Sequence, residues 1–204
     1  MTHKLSMFSL VLSSLLAGLA LGCEPGGVGD PCTPEDEYTP SFSGFSVEEV
    51  NVESKSFQCV TRICLVNHFR GRVSCPYGNQ GSAANSNQTP PDCVIPGSPD
   101  EKIEVAVDPQ LVGRQAEDAV YCSCRCDGPD ETARYCECPS GYGCVRLVDD
   151  LGIGGGQLAG SYCVREGTEY EKFSAQSDCK FSEAGTGTPQ DCGRVDPASG
   201  EPED

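Results

Sequence analysis

Three observations predict a small disulfide-rich fold, mainly β with long irregular loops and little helix outside the first 22 residues. The chain has 204 residues and 15 cysteines. Its 24 glycines and 15 prolines break it into short segments rich in turns. Outside residues 1–22 the apolar residues come in short runs that alternate with polar ones or favour extended backbone. Large core builders are scarce, because there is no tryptophan and both methionines, Met1 and Met7, fall in the first 22 residues. Such a chain offsets the entropy of folding poorly by burial alone, and cross-links of about 2–4 kcal/mol each are the usual remedy in oxidising compartments.

Residues 1–22 have the form of an export signal: Lys4, an apolar core from Leu5 to Leu21, and small residues before Cys23. The core is shorter than the roughly 20 residues of a membrane span. Cys23 also makes the cysteine count odd; set aside, it leaves fourteen that can pair completely. Glu24 to Pro40 is rich in Gly, Pro and acidic residues, so residues 23–41 read as a flexible tether.

Residues 42–95 read as a first disulfide-bonded β-rich region. Val50 and Val52 alternate with polar residues, the segment Phe57 to Val66 is a second strand, Asn67 to Gly71 a turn, and Arg72 to Cys75 the returning partner strand. Asn79 to Pro91 is a polar loop. Residues 96–193 form a second region with a dense cysteine cluster. Here Ile103, Val105 and Val107 predict a strand with one buried face, closed by Asp108-Pro109, and Pro109 to Glu117 a short helix. Strands follow at Val145 to Val148 and Ser161 to Arg165. Residues 194–204 read as a disordered tail.

The disulfide candidates are Cys32, Cys59, Cys64, Cys75, Cys93, Cys122, Cys124, Cys126, Cys136, Cys138, Cys144, Cys163, Cys179 and Cys192. Cysteines two apart on a strand share a face about 7 Å apart at Cα, at the limit for a bridge, so Cys122, Cys124 and Cys126 should each find a different partner. The number of possible connectivities forbids any assignment. Thiolate metal binding is disfavoured, since the chain lacks Cys-x-x-Cys and has one histidine, His68, beyond the signal.

After removal of the signal, 13 basic residues face 31 acidic ones, a formal charge of −18. That charge repels nucleic acid and anionic surfaces. His68, Arg70 and Arg72 form the one basic spot, a possible partner contact at an expected hairpin tip. Asp127, Asp130 and Glu131 cluster acids in a turn and are weak calcium candidates. No catalytic residues and no cofactor are expected: a hydrolase would have to use His68, and no Gly-x-Ser-x-Gly or similar nucleophile signature accompanies it.

Two resemblances add to this reading. Cys136-Glu137-Cys138-Pro139-Ser140-Gly141-Tyr142 is similar to the closing hairpin of an epidermal-growth-factor-like module over about ten residues, a stapled turn that implies no ligand. Leu19-Ala20-Leu21-Gly22-Cys23 resembles the bacterial lipoprotein box, with Ala20 and Leu21 in the reverse of the commonest order. That resemblance implies a thioether-linked diacylglycerol and an N-terminal acyl chain on Cys23. Together with the stretches Cys59 to Phe69 and Gly71 to Gly78 and the later cysteine cluster, it makes the chain similar to cysteine-rich envelope lipoproteins of myxobacteria. The expected function is a lipid-anchored binding or structural module of the bacterial outer membrane. Its partner is an envelope or extracellular protein or a glycan. The rivals are a His68-dependent hydrolase and a calcium-dependent adhesion module.

Overall fold

The computed structural model describes residues 25–79, 93–150, 158–168 and 170. The expected signal, Cys23, Cys179, Cys192 and the tail lie outside the described residues, as does nearly all of the Asn79–Pro91 loop.

Strands β1 (Val50–Glu53), β2 (Ile63–Asn67) and β5 (Val120–Ser123) form an antiparallel sheet with β2 in the middle. The alternation at Val50 and Val52 places both beside Leu65 and Tyr121 on one face. Cys64, Val66, Val120 and Cys122 occupy the other. Both faces are covered, so four of the five β2 residues are buried. Phe45, Phe69, Val73, Ala116 and Ala119 pack against the cysteine face, and Val164, Tyr142 and Leu147 against the Leu65 face.

Those last residues come from a second antiparallel sheet, in which β8 (Gly160–Arg165) lies between β6 (Arg125–Asp127) and β7 (Tyr142–Val148). The chain passes from one sheet to the other at Cys124, between β5 and β6. Ser123 Oγ donates to the Cys163 carbonyl at 2.8 Å, and the Cys163 N–H to the Cys124 carbonyl at 3.0 Å. A small hairpin of β3 (Val94–Ile95) and β4 (Ser98–Lys102) completes the β structure, turning at Gly97 (φ +76°).

Several expectations are corrected. Arg72 to Cys75 is a tight turn, not a returning strand, because Arg72 bridges only to Cys75 and β2 takes β1 and β5 as neighbours. Strand β2 begins at Ile63, after a turn in which Arg62 has φ +65°. Ile103 and Val107 are buried as the alternation predicts, but among the described residues no strand pairs with them. Instead the Asn79 amide stands in for one: its Nδ2 donates to the Ile103 and Val105 carbonyls, and its Oδ1 accepts from the Val107 N–H at 2.6 Å. The short helix is α1 (Ala116–Ala119), not Pro109 to Glu117, because a turn at Leu111–Arg114 interrupts that stretch.

The segment 23–41 is not a tether over its described part. Cys32 is bonded to Cys64, and Pro31 bridges Tyr121. Gly29 N–H donates to the Cys122 carbonyl, and Cys122 N–H to the Asp30 carbonyl, both at 2.8 Å. This strap covers the edge of β5 that β2 leaves open, which satisfies backbone groups that would otherwise be unpaired. Gly29 (φ +98°) lies against the Tyr142 hydroxyl, where a Cβ would collide. A single 3-10 turn, Glu35–Tyr38, follows the strap.

All twelve described cysteines are paired: Cys32–Cys64, Cys59–Cys122, Cys75–Cys93, Cys124–Cys136, Cys126–Cys144 and Cys138–Cys163. As the spacing predicts, Cys122, Cys124 and Cys126 find three different partners. Cys59–Cys122 and the β2–β5 ladder join the two regions that the sequence separated near residue 95.

Candidate functional site

The basic spot is dispersed by folding. Arg72 is fully buried. Its guanidinium donates to the carbonyls of Glu37 and Phe42, the latter at 2.8 Å, and lies over the Phe42 ring. Glu37, equally buried, accepts from the N–H groups of Val73 and Ser74. The two residues thus pin the 3-10 turn to the 72–75 turn, Arg72 through the Glu37 carbonyl and Glu37 through the N–H groups of Val73 and Ser74. A partner cannot reach Arg72. Arg70 is half-buried and donates from Nε to the Pro109 carbonyl at 2.9 Å.

His68, in a left-handed conformation (φ +53°), is also partly buried. Its Nδ1 lies 2.9 Å from the Val47 carbonyl, and its ring stacks on Tyr170 with centroids 4.2 Å apart. Beneath it runs Arg114, which is buried and donates to the carbonyls of Asn67, His68 and Thr168. Burial holds the imidazole below its ordinary value; the Val47 hydrogen bond opposes this and the Arg114 charge adds to it. His68 therefore belongs to a packed joint between the β2 end and the β8 end. Sequence reasoning missed Arg114, which carries no motif.

The acidic turn does not converge. Asp127 Oδ1 accepts from the Gly128 N–H, and Asp130 Oδ1 from the N–H and hydroxyl of Thr132. The Thr132 hydroxyl and then its N–H hold the Asp130 carboxyl below its ordinary range. Among the described residues, every group of three or more potential ligand atoms lying together consists of cysteine sulfurs, all in disulfides.

Two concavities are formed by described residues. One, of about 180 Å³, is lined by Pro31, Cys32, Val73, Ala116, Val120, Tyr121 and Arg165 and is mostly apolar. The Arg165 guanidinium lies near both the Tyr121 and the Tyr142 ring, which meet edge to face. The other is an open groove of about 390 Å³ between the 3-10 turn and the loop before β2, lined by Thr33, Glu35, Tyr38, Glu53, Lys55, Ser56, Phe57 and Gln58. Glu53 accepts from the Glu35 N–H at 2.9 Å. Burial raises its carboxyl; the hydrogen bond from Glu35 opposes this, and the charges of Glu35 and Asp36 add to it. Ser56 is buried, and its Oγ has no hydrogen-bond partner among the described residues. Gln58 closes the floor by exchanging two hydrogen bonds with the Thr33 backbone. Phe57 projects from the rim at 77% exposure, with the Arg62 guanidinium 4.0 Å above its ring.

The groove sets the Phe57 and Tyr38 rings beside the carboxylates of Glu35 and Glu53. No family model, curated protein or solved structure matches the chain.

Proposed function

We propose that the chain is a lipid-anchored, extracytoplasmic module of the bacterial outer membrane, acting by binding or structural display towards an envelope protein, extracellular protein or glycan. The observation that carries this reading is the cysteine arrangement. Twelve cysteines sit in six disulfides, a pattern that fits an exported protein, and Cys23 follows a lipoprotein-type signal. Among the described residues no helix is long and apolar enough to cross a membrane, so attachment would rest on the acyl chains. The engagement of His68 with Val47, Tyr170 and Arg114 supports a structural role for the histidine over general-base chemistry.

Membrane fractionation of cells producing the full chain, with intact-mass analysis of the purified protein, tests the proposal. The expected result is a membrane-bound protein that begins at Cys23 and carries diacylglycerol and one further acyl chain. The Cys23→Ser variant should move to the soluble exported fraction. An unmodified Cys23 on a freely soluble native protein contradicts it.

A further inference from the structure

We infer that the loop Phe57–Val60 is a membrane-docking tip that enters the headgroup region of a zwitterionic phospholipid surface beside the anchor, an inference that rests on the proposed lipidation of Cys23. Phe57 (77% exposed) and Val60 (64%) are the most exposed large apolar side chains among the described residues, and Tyr38 (48%) lines the same groove as Phe57. Isolated exposed side chains need no explanation, but Phe57 and Val60 lie three residues apart in one loop, and Tyr38 lines the groove that Phe57 borders.

Their position relative to the anchor is fixed by Gly26. Its N–H donates to the Gln58 carbonyl at 2.7 Å, and its carbonyl accepts from the Val60 N–H at 2.9 Å. Only three residue steps separate Gly26 from Cys23, so even a fully extended chain spans at most about 10 Å. A lipidated Cys23 holds its sulfur at the boundary between acyl chains and headgroups. Amphipathic elements that lie in that boundary sink about 5–10 Å, which is within this reach. The loop is therefore held against the bilayer by its own backbone hydrogen bonds.

The side chains suit that place. Phe57 presents an apolar ring, and Arg62, stacked on it, carries a cation that stays at phosphate level while the ring goes deeper. Glu35 and Glu53 in the adjacent groove, with the net negative charge of the chain, disfavour an anionic surface. An ammonium-bearing zwitterionic headgroup meets carboxylates and arginine alike.

The absence of tryptophan makes the test direct, since Phe57→Trp and Val60→Trp each create a single reporter at an exposed position. Residues 23–204 are coupled through the Cys23 thiol to a maleimide-bearing phospholipid in vesicles of phosphatidylethanolamine and phosphatidylcholine with brominated acyl chains. The inference expects emission from both variants to shift to the blue and to be quenched by bromine relative to the uncoupled protein. Emission that stays unshifted and unquenched in both overturns the docking tip, and quenching confined to phosphatidylglycerol vesicles overturns the choice of a zwitterionic surface. Because the coupling is chemical, this outcome is separate from that of the anchor itself, which fails only if cells leave Cys23 bare.

Discussion

Cys64 and Cys122 stand opposite each other in the β2–β5 register, yet neither is bonded to the other. Cys64 reaches off the sheet to Cys32 in the N-terminal strap, and Cys122 to Cys59 in the loop before β2. Cys144 and Cys163 repeat the relationship in the second sheet, facing each other in the ladder while bonded to Cys126 and Cys138. A bond across either ladder would join strands that hydrogen bonds already hold. Turned away from the ladder, Cys64, Cys122 and Cys163 tie in the strap, the loop before β2 and the segment before β7, and Cys144 ties β7 to β6 across the sheet.

Removing the Cys59–Cys122 bond should therefore destabilise the fold while leaving the ladder residues in place. Both cysteines are fully buried, and the bond spans 63 residues. The double variant Cys59→Ala/Cys122→Ala is expected to lose about 2–4 kcal/mol in denaturant unfolding. A loss below about 0.5 kcal/mol would show the bond to be redundant with its neighbour Cys32–Cys64.

Gly71 has φ +86°, and a Cβ there would collide with the Asp108 carbonyl, which belongs to the segment following Val107. Gly71→Ala combines left-handed strain with a backbone clash, so a cost of at least about 1–2 kcal/mol is expected in the same unfolding experiment. Gly141, also at φ +86°, has open space around it and should cost less when changed to alanine. Equal losses at the two sites would contradict the packing described for the 71–108 contact.

Burial pushes the Glu37 carboxyl above its ordinary value of 4.5, against the opposing hydrogen bonds from Ser74 and Val73 and the Arg72 charge. An acid whose folded value is raised stabilises the fold fully below its unfolded value and loses that contribution as pH rises through the folded one. The stability of the native chain relative to Glu37→Gln should thus fall from pH 4.5 upward. Melting temperatures of the two proteins across that window check it, and a difference independent of pH contradicts it.

His68 offers the converse case. Its folded value is lowered from 6.5, so its contribution to stability is present above 6.5 and lost as pH falls through the folded value. With only one other histidine in the chain, His3 in the expected signal, the imidazole proton signals of the mature protein titrate alone. An NMR midpoint below 6.5 is expected, and Arg114→Gln, which removes the nearby cation, should raise it. A midpoint at or above 6.5 contradicts the buried, stacked ring.

Much of the sheet structure was legible because it depends on local pattern. Val50 and Val52 follow from period-two geometry, the β-favouring runs at Val145 to Val148 and Ser161 to Arg165 mark the last two strands, and the close spacing of Cys122, Cys124 and Cys126 sends them to different partners. The strap was misread because Gly, Pro and acidic residues are the composition of a linker; what orders it is the bond at Cys32 and the open edge of β5, both distant in sequence. Arg72 was misread for a related reason. A charged residue beside a turn is ordinarily solvated, and the carbonyls of Glu37, Thr39 and Phe42, more than 29 residues away, offset the cost of its burial. Arg114 gave no sequence signal, since its acceptors are main-chain oxygens, which no side-chain motif records.

Peptide mapping of the mature protein under non-reducing conditions tests the central claim most directly. The account predicts the six pairs Cys32–Cys64, Cys59–Cys122, Cys75–Cys93, Cys124–Cys136, Cys126–Cys144 and Cys138–Cys163, and an N-terminal peptide that begins at an acylated Cys23. Free thiols among those twelve cysteines, or an N-terminal peptide in which Cys23 is disulfide-bonded and carries no lipid, would contradict it.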